Sequence, residues 1–379
     1  MNASHLDFYM KYGISPVRQD ISDLDRHFQR RGALYRHLGI LPQHIAGRRV
    51  CEVGPGSGYN SVFTASLQPS YYELVEGNPT GIDNIRELFR SYPQWTADIA
   101  ITASRIEAFP PKPFDFVFCE GLLSGVPNPE AVLNVLAACV APGGTLVITC
   151  VDHLSHFPET IRRVFGDLVI AQDDDLDTKV SKILPMVESH LQTLKGMSRR
   201  LDDWVIDNLI HPGSIIPLIN FPEAVAVLAH DFQFLASSPH FVQDWRWYKD
   251  IVGADCDFNI NAIEQYWANA HNLMDFRRRV PVRDPDANMR LYDLCTTARA
   301  CVERFEHDGN RQHLAEFRTL LQEIADNFLA FSPETGAALA EAAEALDLEA
   351  FDPKKAASLQ HFSGLFGCGT QYISLTRGR

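Results

Sequence analysis

The sequence predicts an α/β protein built on a doubly wound parallel sheet. Three observations point there. Short apolar runs alternate with helical periodicities from residue 49 to 150. The first run leads into a glycine-rich turn, Gly54-Pro55-Gly56-Ser57-Gly58. The second run, Tyr71-Tyr72-Glu73-Leu74-Val75-Glu76, ends in an acid 22 positions after Gly54. Alternation at this spacing argues for parallel strands joined by helical crossovers, with ligands at the C-terminal strand ends.

In chain order, the first strand is Val50 to Val53, followed by the turn and a helix from Asn60 to Leu67. Further strands are expected at 71–76, 98–103, 114–120 and 144–150, with helices near 80–91 and 129–140. Pro79 and Pro129 stand where first helical turns begin, a position proline tolerates. Glycines at 54, 56 and 58 remove Cβ atoms where the chain bends sharply or a ligand approaches the backbone. The helix that follows offers free N–H groups near such a ligand. Glu76, at the edge of the neighbouring strand, is placed to accept both hydroxyls of a ribose.

Two nucleotide-type ligands suit that geometry. A dinucleotide turn wants G-x-G-x-x-G, but Tyr59 stands where its third glycine would pack helix on strand. The pattern here, Glu52-x-Gly54-x-Gly56-x-Gly58, resembles motif I of the class I S-adenosylmethionine-dependent methyltransferases. The resemblance continues through Glu76, Phe114 to Leu123 and Ala141 to Ile148, and covers roughly residues 46 to 151. It implies a Rossmann-like seven-stranded methyltransferase sheet and S-adenosyl-L-methionine as cofactor. Glu52, Gly54, Pro55, Gly56, Ser57 and Gly58 would then shape the cradle and orient the amino-acid end. Glu76 and Gly77 would grip the ribose, Ser104 and Arg105 would lie beside the adenine, and Glu120 and Gly121 would close the fourth strand. Ser104 departs from the acid that the family frequently carries there. No histidine stands at Ser124 or Gly125, where many small-molecule members have one. The Asn-Pro-Pro-Tyr or Asp-Pro-Pro-Tyr tetrapeptide of nucleobase- and glutamine-methylating members is absent, which argues against those acceptors.

Flanking segments complete the expected organisation. Residues 1–45 read as an N-terminal helical lid, with an amphipathic helix from about Ser22 to Leu38, Ser22 as N-cap and Gly39 as C-cap. Tyr12, in the aromatic segment ahead of it, is a candidate substrate contact. Residues 46–151 form the Rossmann-like core and 152–215 a helical insertion that would cover the substrate. Residues 216–252 would close the sheet through Phe232–Ser238 and Trp245–Lys249 as an antiparallel pair. A C-terminal helical region, 253–379, ends in a strand-like tail from Gly364 to Leu375. The acid run Asp173 to Asp177 reads as a solvated loop with helix-cap character; calcium is the alternative, though the EF-hand pattern is missing.

Catalytic candidates follow the fifth strand: Asp152, His153 and His156. An imidazole there suits a general base for an acceptor hydroxyl. The alternatives are a divalent-metal site or a loop histidine paired with the acid, and no metal is assigned. A second constellation joins Trp267, Asn269, His271, Asn272 and Arg277, with His211 further upstream. Its spacings of three and four place several of these on one helical face, suited to a hydroxylated or anionic substrate. The competing reading is a helix end neutralised by arginines.

The whole composition sets bounds. The 379 residues are 46% hydrophobic and 22% charged, an ordinary globular balance. A net charge of -14 without a basic stripe disfavours nucleic acid and anionic membranes as partners. Eight cysteines without a C-x-x-C pair read as buried hydrophobes in a reducing compartment. The most apolar window, Ala131 to Cys150, is broken by Pro142-Gly143-Gly144, so no span and no membrane partner is expected and the compartment is read as cytoplasmic. The expected protein is a cytoplasmic enzyme that O-methylates a hydroxyl or carboxylate of a metabolite or glycoside, with self-association left open. The alternatives are an NAD-dependent oxidoreductase and a non-catalytic interaction protein that binds the same cofactor.

Overall fold

β1 (Arg49–Val53) is buried along all but its first residue, because it is the middle of a sheet covered on both faces. The structure, a computed structural model, describes residues 5–15, 17–96, 98–211 and 218–378. It divides into two compact units: Met1–Val151, Ile216–Tyr266 and Thr370–Arg379 form one, Asp152–Ile215 and Trp267–Gly369 the other.

The first unit holds the sheet. Its strands are β1, β2 (Tyr71–Glu76), β3 (Ala100–Ala103), β4 (Phe114–Cys119), β5 (Val140–Cys150), β6 (Phe232–Ser238) and β7 (Gln371–Arg377), in the spatial order β3-β2-β1-β4-β5-β7-β6. β1 to β5 pair in parallel, and β7 runs antiparallel to both β5 and β6. The sheet reverses order between β1 and β4, and the crevice at that switch point lies beyond the ends of the two strands. Tyr35, Val50, Val62, Phe63, Leu74, Ile85 and Phe118 belong to one buried apolar cluster of this unit.

Local chemistry sets the element ends. Asn78 caps the helix Pro79–Arg90 through the Thr80 N–H, and Asn128 caps Pro129–Cys139 through the Ala131 N–H, each ahead of a proline at the first helical position. The helix Leu24–His37 is capped by Asp23, whose carboxylate accepts the Arg26 N–H; the expected cap, Ser22, lies one residue further out. Gly39 takes the left-handed conformation (φ +71°) just past that helix, as its position required.

The last two strands correct the sequence reading. Phe232–Ser238 is β6, but Trp245–Lys249 is not its partner; that place belongs to the tail strand β7. Arg246 is the reason 245–249 forms a loop. Its guanidinium forks onto Asp244 (2.6 and 2.9 Å) and donates to the Asp255 carbonyl (2.8 Å), which folds the segment back on itself. The outer edge of β6 is closed by a side chain. Asn259 accepts the Phe234 N–H (2.7 Å) and donates to the Phe232 carbonyl (2.8 Å).

The second unit is helical: Phe157–Asp167, Leu176–Leu191, Leu201–Val205 continuing as a π-helical turn Ile206–Ile210, Pro285–Asp308, Gln312–Leu329 and Pro333–Ala345. Asp175, from the acid run, caps Leu176–Leu191 through the Thr178 N–H. At its centre Arg162 is fully buried, donating to the carbonyls of Phe362, Ser363 and Leu365 and lying against the rings of Phe362 and Phe366. Those carbonyls replace the water that the guanidinium gives up.

Candidate cofactor cradle and catalytic groups

The turn after β1 is left-handed at each of its glycines, with φ of +70° at Gly54, +59° at Gly56 and +78° at Gly58. Only glycine adopts this conformation without strain. Space matters as well at Gly56, where a Cβ would stand 2.5 Å from Val17 Cγ2. Glu76 ties this turn to the end of β2: one carboxylate oxygen accepts the Gly56 N–H (2.9 Å), the other the Asn78 N–H (2.7 Å). Burial pushes the Glu76 carboxyl up, and the N–H groups of Asn78, Gly56 and Gly77 pull it back. Ser57 adds a hydroxyl contact to Ser15 (3.1 Å) and accepts from Asn84 (3.2 Å). Ser104 donates its N–H to the Glu76 carbonyl and its hydroxyl to the Arg105 carbonyl. Past β4, Gly121 (φ +75°) has no atom within 4 Å of where its Cβ would be, and its N–H is held by Thr149 Oγ1 (2.7 Å). The predicted cradle residues of 52–58, 76–77, 104–105 and 120–121 therefore gather at the C-terminal ends of β1 to β4.

Beside the turn lies a buried polar group that the sequence reading missed in part. Arg31, from the helix Leu24–His37, makes a two-pronged ion pair with Glu120 (2.9 and 2.5 Å), and Asn60 donates to the same carboxylate (3.3 Å). Glu52 is hydrogen-bonded to the Tyr72 phenol. Burial, reinforced by the Glu120 charge, pushes the Glu52 carboxyl up to about 7. A signal for Arg31 did exist: it falls between Phe28 and Tyr35 on the apolar stripe of its helix, where an uncompensated charge is costly.

The N-terminal segment fastens over the same strand ends. His5 is hydrogen-bonded to the Gly125 carbonyl, and Asp7 pairs with Arg105 (2.6 Å). Asn78 donates to the Ile14 carbonyl (2.9 Å). Tyr12, expected to touch substrate, is instead exposed, with its ring against Phe8 and under Lys11. The helix His5–Tyr12 turns its other face to the strand ends, which is why His5 and Asp7 make the contacts.

The remaining candidates lie in the second unit. Asp152 is fully buried and accepts the Ser155 N–H (2.7 Å), so its carboxylate shapes the turn into the helix Phe157–Asp167. The His153 ring meets Tyr292 edge-on (5.4 Å), and Tyr292 meets Trp267 in the same way (5.5 Å). Nδ1 of His153 and of His156 is buried with no hydrogen-bond partner. Burial first, and then the nearby Arg299 charge, push these imidazoles down to about 4 and about 3. Burial thus favours the neutral form of both rings.

The second constellation is engaged in holding a loop. Asn272 accepts the Val280 N–H (2.8 Å) and donates to the Val280 carbonyl (3.1 Å). His271 bonds the Pro281 carbonyl through Nε2 and Asn288 through Nδ1. Arg277 forks onto Asp275 (2.8 and 2.9 Å). The cavity that His271 and Asn272 line is about 10 Å³, the room of one water molecule. Asn269 is buried, and His211 is buried with its carbonyl accepting from Arg163 (2.6 Å). Among the described residues no group of three or more His, Cys, Asp or Glu is arranged to hold a metal, and no helix is long and apolar enough to cross a membrane.

Residues 25–177 match the family model of a methyltransferase domain. A ubiquinone biosynthesis O-methyltransferase of Burkholderia vietnamiensis is 32% identical over 131 residues, 34% of this chain and 54% of that protein. A tRNA U34 carboxymethyltransferase of Methylococcus capsulatus is 31% identical over 30% of this chain and 35% of that protein. Among solved structures, magnesium protoporphyrin IX methyltransferase of Synechocystis PCC 6803 with bound SAM superposes at a TM-score of 0.32, 15% identity, over 38% of this chain and 73% of that one. The chain spans about half the length of the Burkholderia relative.

Proposed function

We propose that this chain, whose residues 25–177 match a methyltransferase-domain family, is a class I S-adenosylmethionine-dependent methyltransferase that methylates a small molecule at an oxygen that is ionised, or nearly so, before transfer. The residues present fit the cofactor: left-handed glycines, a buried carboxylate at the end of β2 and open space at Gly121. Gly54 to Gly58 would take its amino-acid end, Glu76 its ribose, and Ser104 with Arg105 its adenine edge. S-adenosylmethionine supplies an electrophilic methyl group on a sulfonium. The Gly56 and Asn78 N–H groups hold the Glu76 carboxylate in one orientation, so little ordering is left for the moment of binding. Arg31 neutralises Glu120 beside the turn, which limits the number of acids left charged there.

The choice of acceptor rests on the burial of His153 and His156, whose Nδ1 atoms have no hydrogen-bond partner and whose pKa values burial pushes down. Transfer needs a nucleophile aligned with the methyl and, for a hydroxyl, removal of its proton. A base whose conjugate acid sits near 3 or 4 is poorly matched to an alcohol. A carboxylate or an acidic phenol loses its proton to water and needs no such base. The names of the Burkholderia relatives, as O-methyltransferases, support oxygen as the acceptor atom. In this reading the segment 1–45 is a lid whose contacts at Gly56, Asn78, Arg105 and Gly125 must loosen for the cofactor to enter.

The test is incubation of the full chain with methyl-labelled S-adenosylmethionine and a metabolite extract. Label should enter a product as a methyl ester or aryl ether, distinguished by release of ester label in mild alkali. His153→Ala and His156→Ala should each keep kcat within about tenfold of wild type, where loss of a working base costs about 10²–10⁴. Labelled N-methyl or C-methyl products, or loss on the larger scale in either variant, would overturn the acceptor assignment.

A further inference from the structure

In the helical unit two arginines and two histidines line one seam. The helices Phe157–Asp167 and Pro285–Asp308 pack against each other there. Two contacts fix their alignment. His153, just ahead of the first helix, meets the Tyr292 ring edge-on (5.4 Å), and Arg163 pairs with Glu306 (3.3 Å). The two helices therefore run in the same direction. His156 precedes Arg163 by seven residues and Arg299 precedes Glu306 by seven, about two turns on each helix. Residues at that interval share a face, so His156 and Arg299 stand across the seam from each other, between the two contacts. The electrostatics agree, because the Arg299 charge lowers the basicity of both His153 and His156.

The acids of this seam are already matched. Glu303 takes the Arg299 Nε (2.8 Å), Glu306 takes Arg163, and Asp207, which favours the charged form of His156, pairs with Arg199 (2.9 Å). Nδ1 of His153 and of His156 is buried without a partner. A buried nitrogen left in this state is costly, and a guanidinium beside it disfavours a second cation. One anion relieves both effects: it accepts from the imidazole N–H groups and offsets the Arg299 charge. The His153 end of the seam is also aromatic, since Tyr292 meets both His153 and Trp267 edge-on (5.4 and 5.5 Å). These three rings and His156 are half-buried, within reach of a small molecule. We propose that this seam binds an aromatic carboxylic acid, its carboxylate held by the imidazole N–H groups of His153 and His156 beside Arg299 and its ring against Tyr292 and Trp267. The site belongs to the helical unit alone and does not depend on methyl transfer.

Calorimetry of the full chain with benzoate, benzamide and inorganic phosphate tests this. Benzoate should bind, and benzamide, its neutral counterpart, at least about tenfold more weakly. His156→Phe keeps a ring and deletes the partnerless nitrogen, so it should fold as well as wild type yet weaken benzoate by about tenfold or more. R299Q/E303Q removes both members of an ion pair together, leaves no acid stranded, and should weaken benzoate at least as much. Binding should also take up protons. Arg299 faces both imidazoles, and Arg163, His153 and Asp207 also act on His156. An anion set among them raises both imidazoles toward their ordinary value, so uptake is expected between about pH 5 and 6.5. It is read from the dependence of binding heat on the buffer's ionisation enthalpy, and H153F/H156F should abolish it. Failure of benzoate to bind at about millimolar concentration overturns the proposal. Phosphate binding as tightly as benzoate overturns the aromatic assignment, and benzoate binding that survives both His156→Phe and R299Q/E303Q overturns the site.

Discussion

Glu76 shows how far a single residue could be read. Its place at a strand end, a fixed distance after a glycine turn, is local information, and the structure adds the two N–H groups that hold its carboxylate. Glu76→Ala should cost about 1.5–3 kcal/mol of cofactor affinity by calorimetry, the worth of charge-assisted hydrogen bonds. Unchanged affinity would remove the ribose from that acid. Gly56 was legible as a turn glycine, whereas its crowding by Val17 comes from a segment 39 positions away and left no trace in the local pattern. Gly56→Ala should therefore be less damaging in a Val17→Ala background, with a coupling of at least about 0.5 kcal/mol in a denaturation cycle. Additive effects would mean that backbone strain alone governs the site. Arg31, Tyr72 and Asn60 escaped because their carboxylate partners come from other strands. The histidines after β5 were legible by position, but their burial beside Arg299, which decides their basicity, depends on a helix far along the chain.

Elements were easiest to read where two signals coincided, as at the Asn-Pro starts of the helices Pro79–Arg90 and Pro129–Cys139. The closing strand was harder. Trp245-Arg246-Trp247-Tyr248-Lys249 has strand-like composition, and only the Arg246 bonds reveal that it turns back. Its replacement, β7, is distant in sequence from both of its neighbours, and periodicity carries no information about such pairing. The structure also shows how the exposed edge of β6 is handled. Asn259→Ala would leave the Phe234 N–H and Phe232 carbonyl without their partner, at about 1–3 kcal/mol, and would open a strand edge to other chains. A lower urea midpoint together with concentration-dependent aggregation is expected. A variant as stable and soluble as wild type would show that water serves that edge equally well.

At the scale of the whole molecule, pH acts through buried groups of both units, most of them in the helical one. His153 and His271 are pushed down to about 4, His156 and His190 to about 3, each by burial first. A histidine lowered in this way contributes stability that is complete above its unfolded value, about 6.5, and is lost as pH falls below it. Glu52 and Glu159, each raised to about 7, and Asp167, raised to about 8, act in the opposite sense, losing stability as pH rises from about 4. Four imidazoles outweigh three carboxyls on the acid side, and above about 6.5 only the carboxyls still titrate. The melting temperature should peak between about pH 6 and 7, and a steady rise through pH 8 would contradict this balance. The position of β7 has a consequence for synthesis. About 130 residues separate the end of β6 from the strand that joins it to β5. At about 5–20 residues per second, a nascent chain carries β5 and β6 unjoined for about 7–25 s while the helices between them are made. A ribosome stalled anywhere in that interval leaves an open sheet, so dependence on chaperones should concentrate there, and translation of β7 ends it.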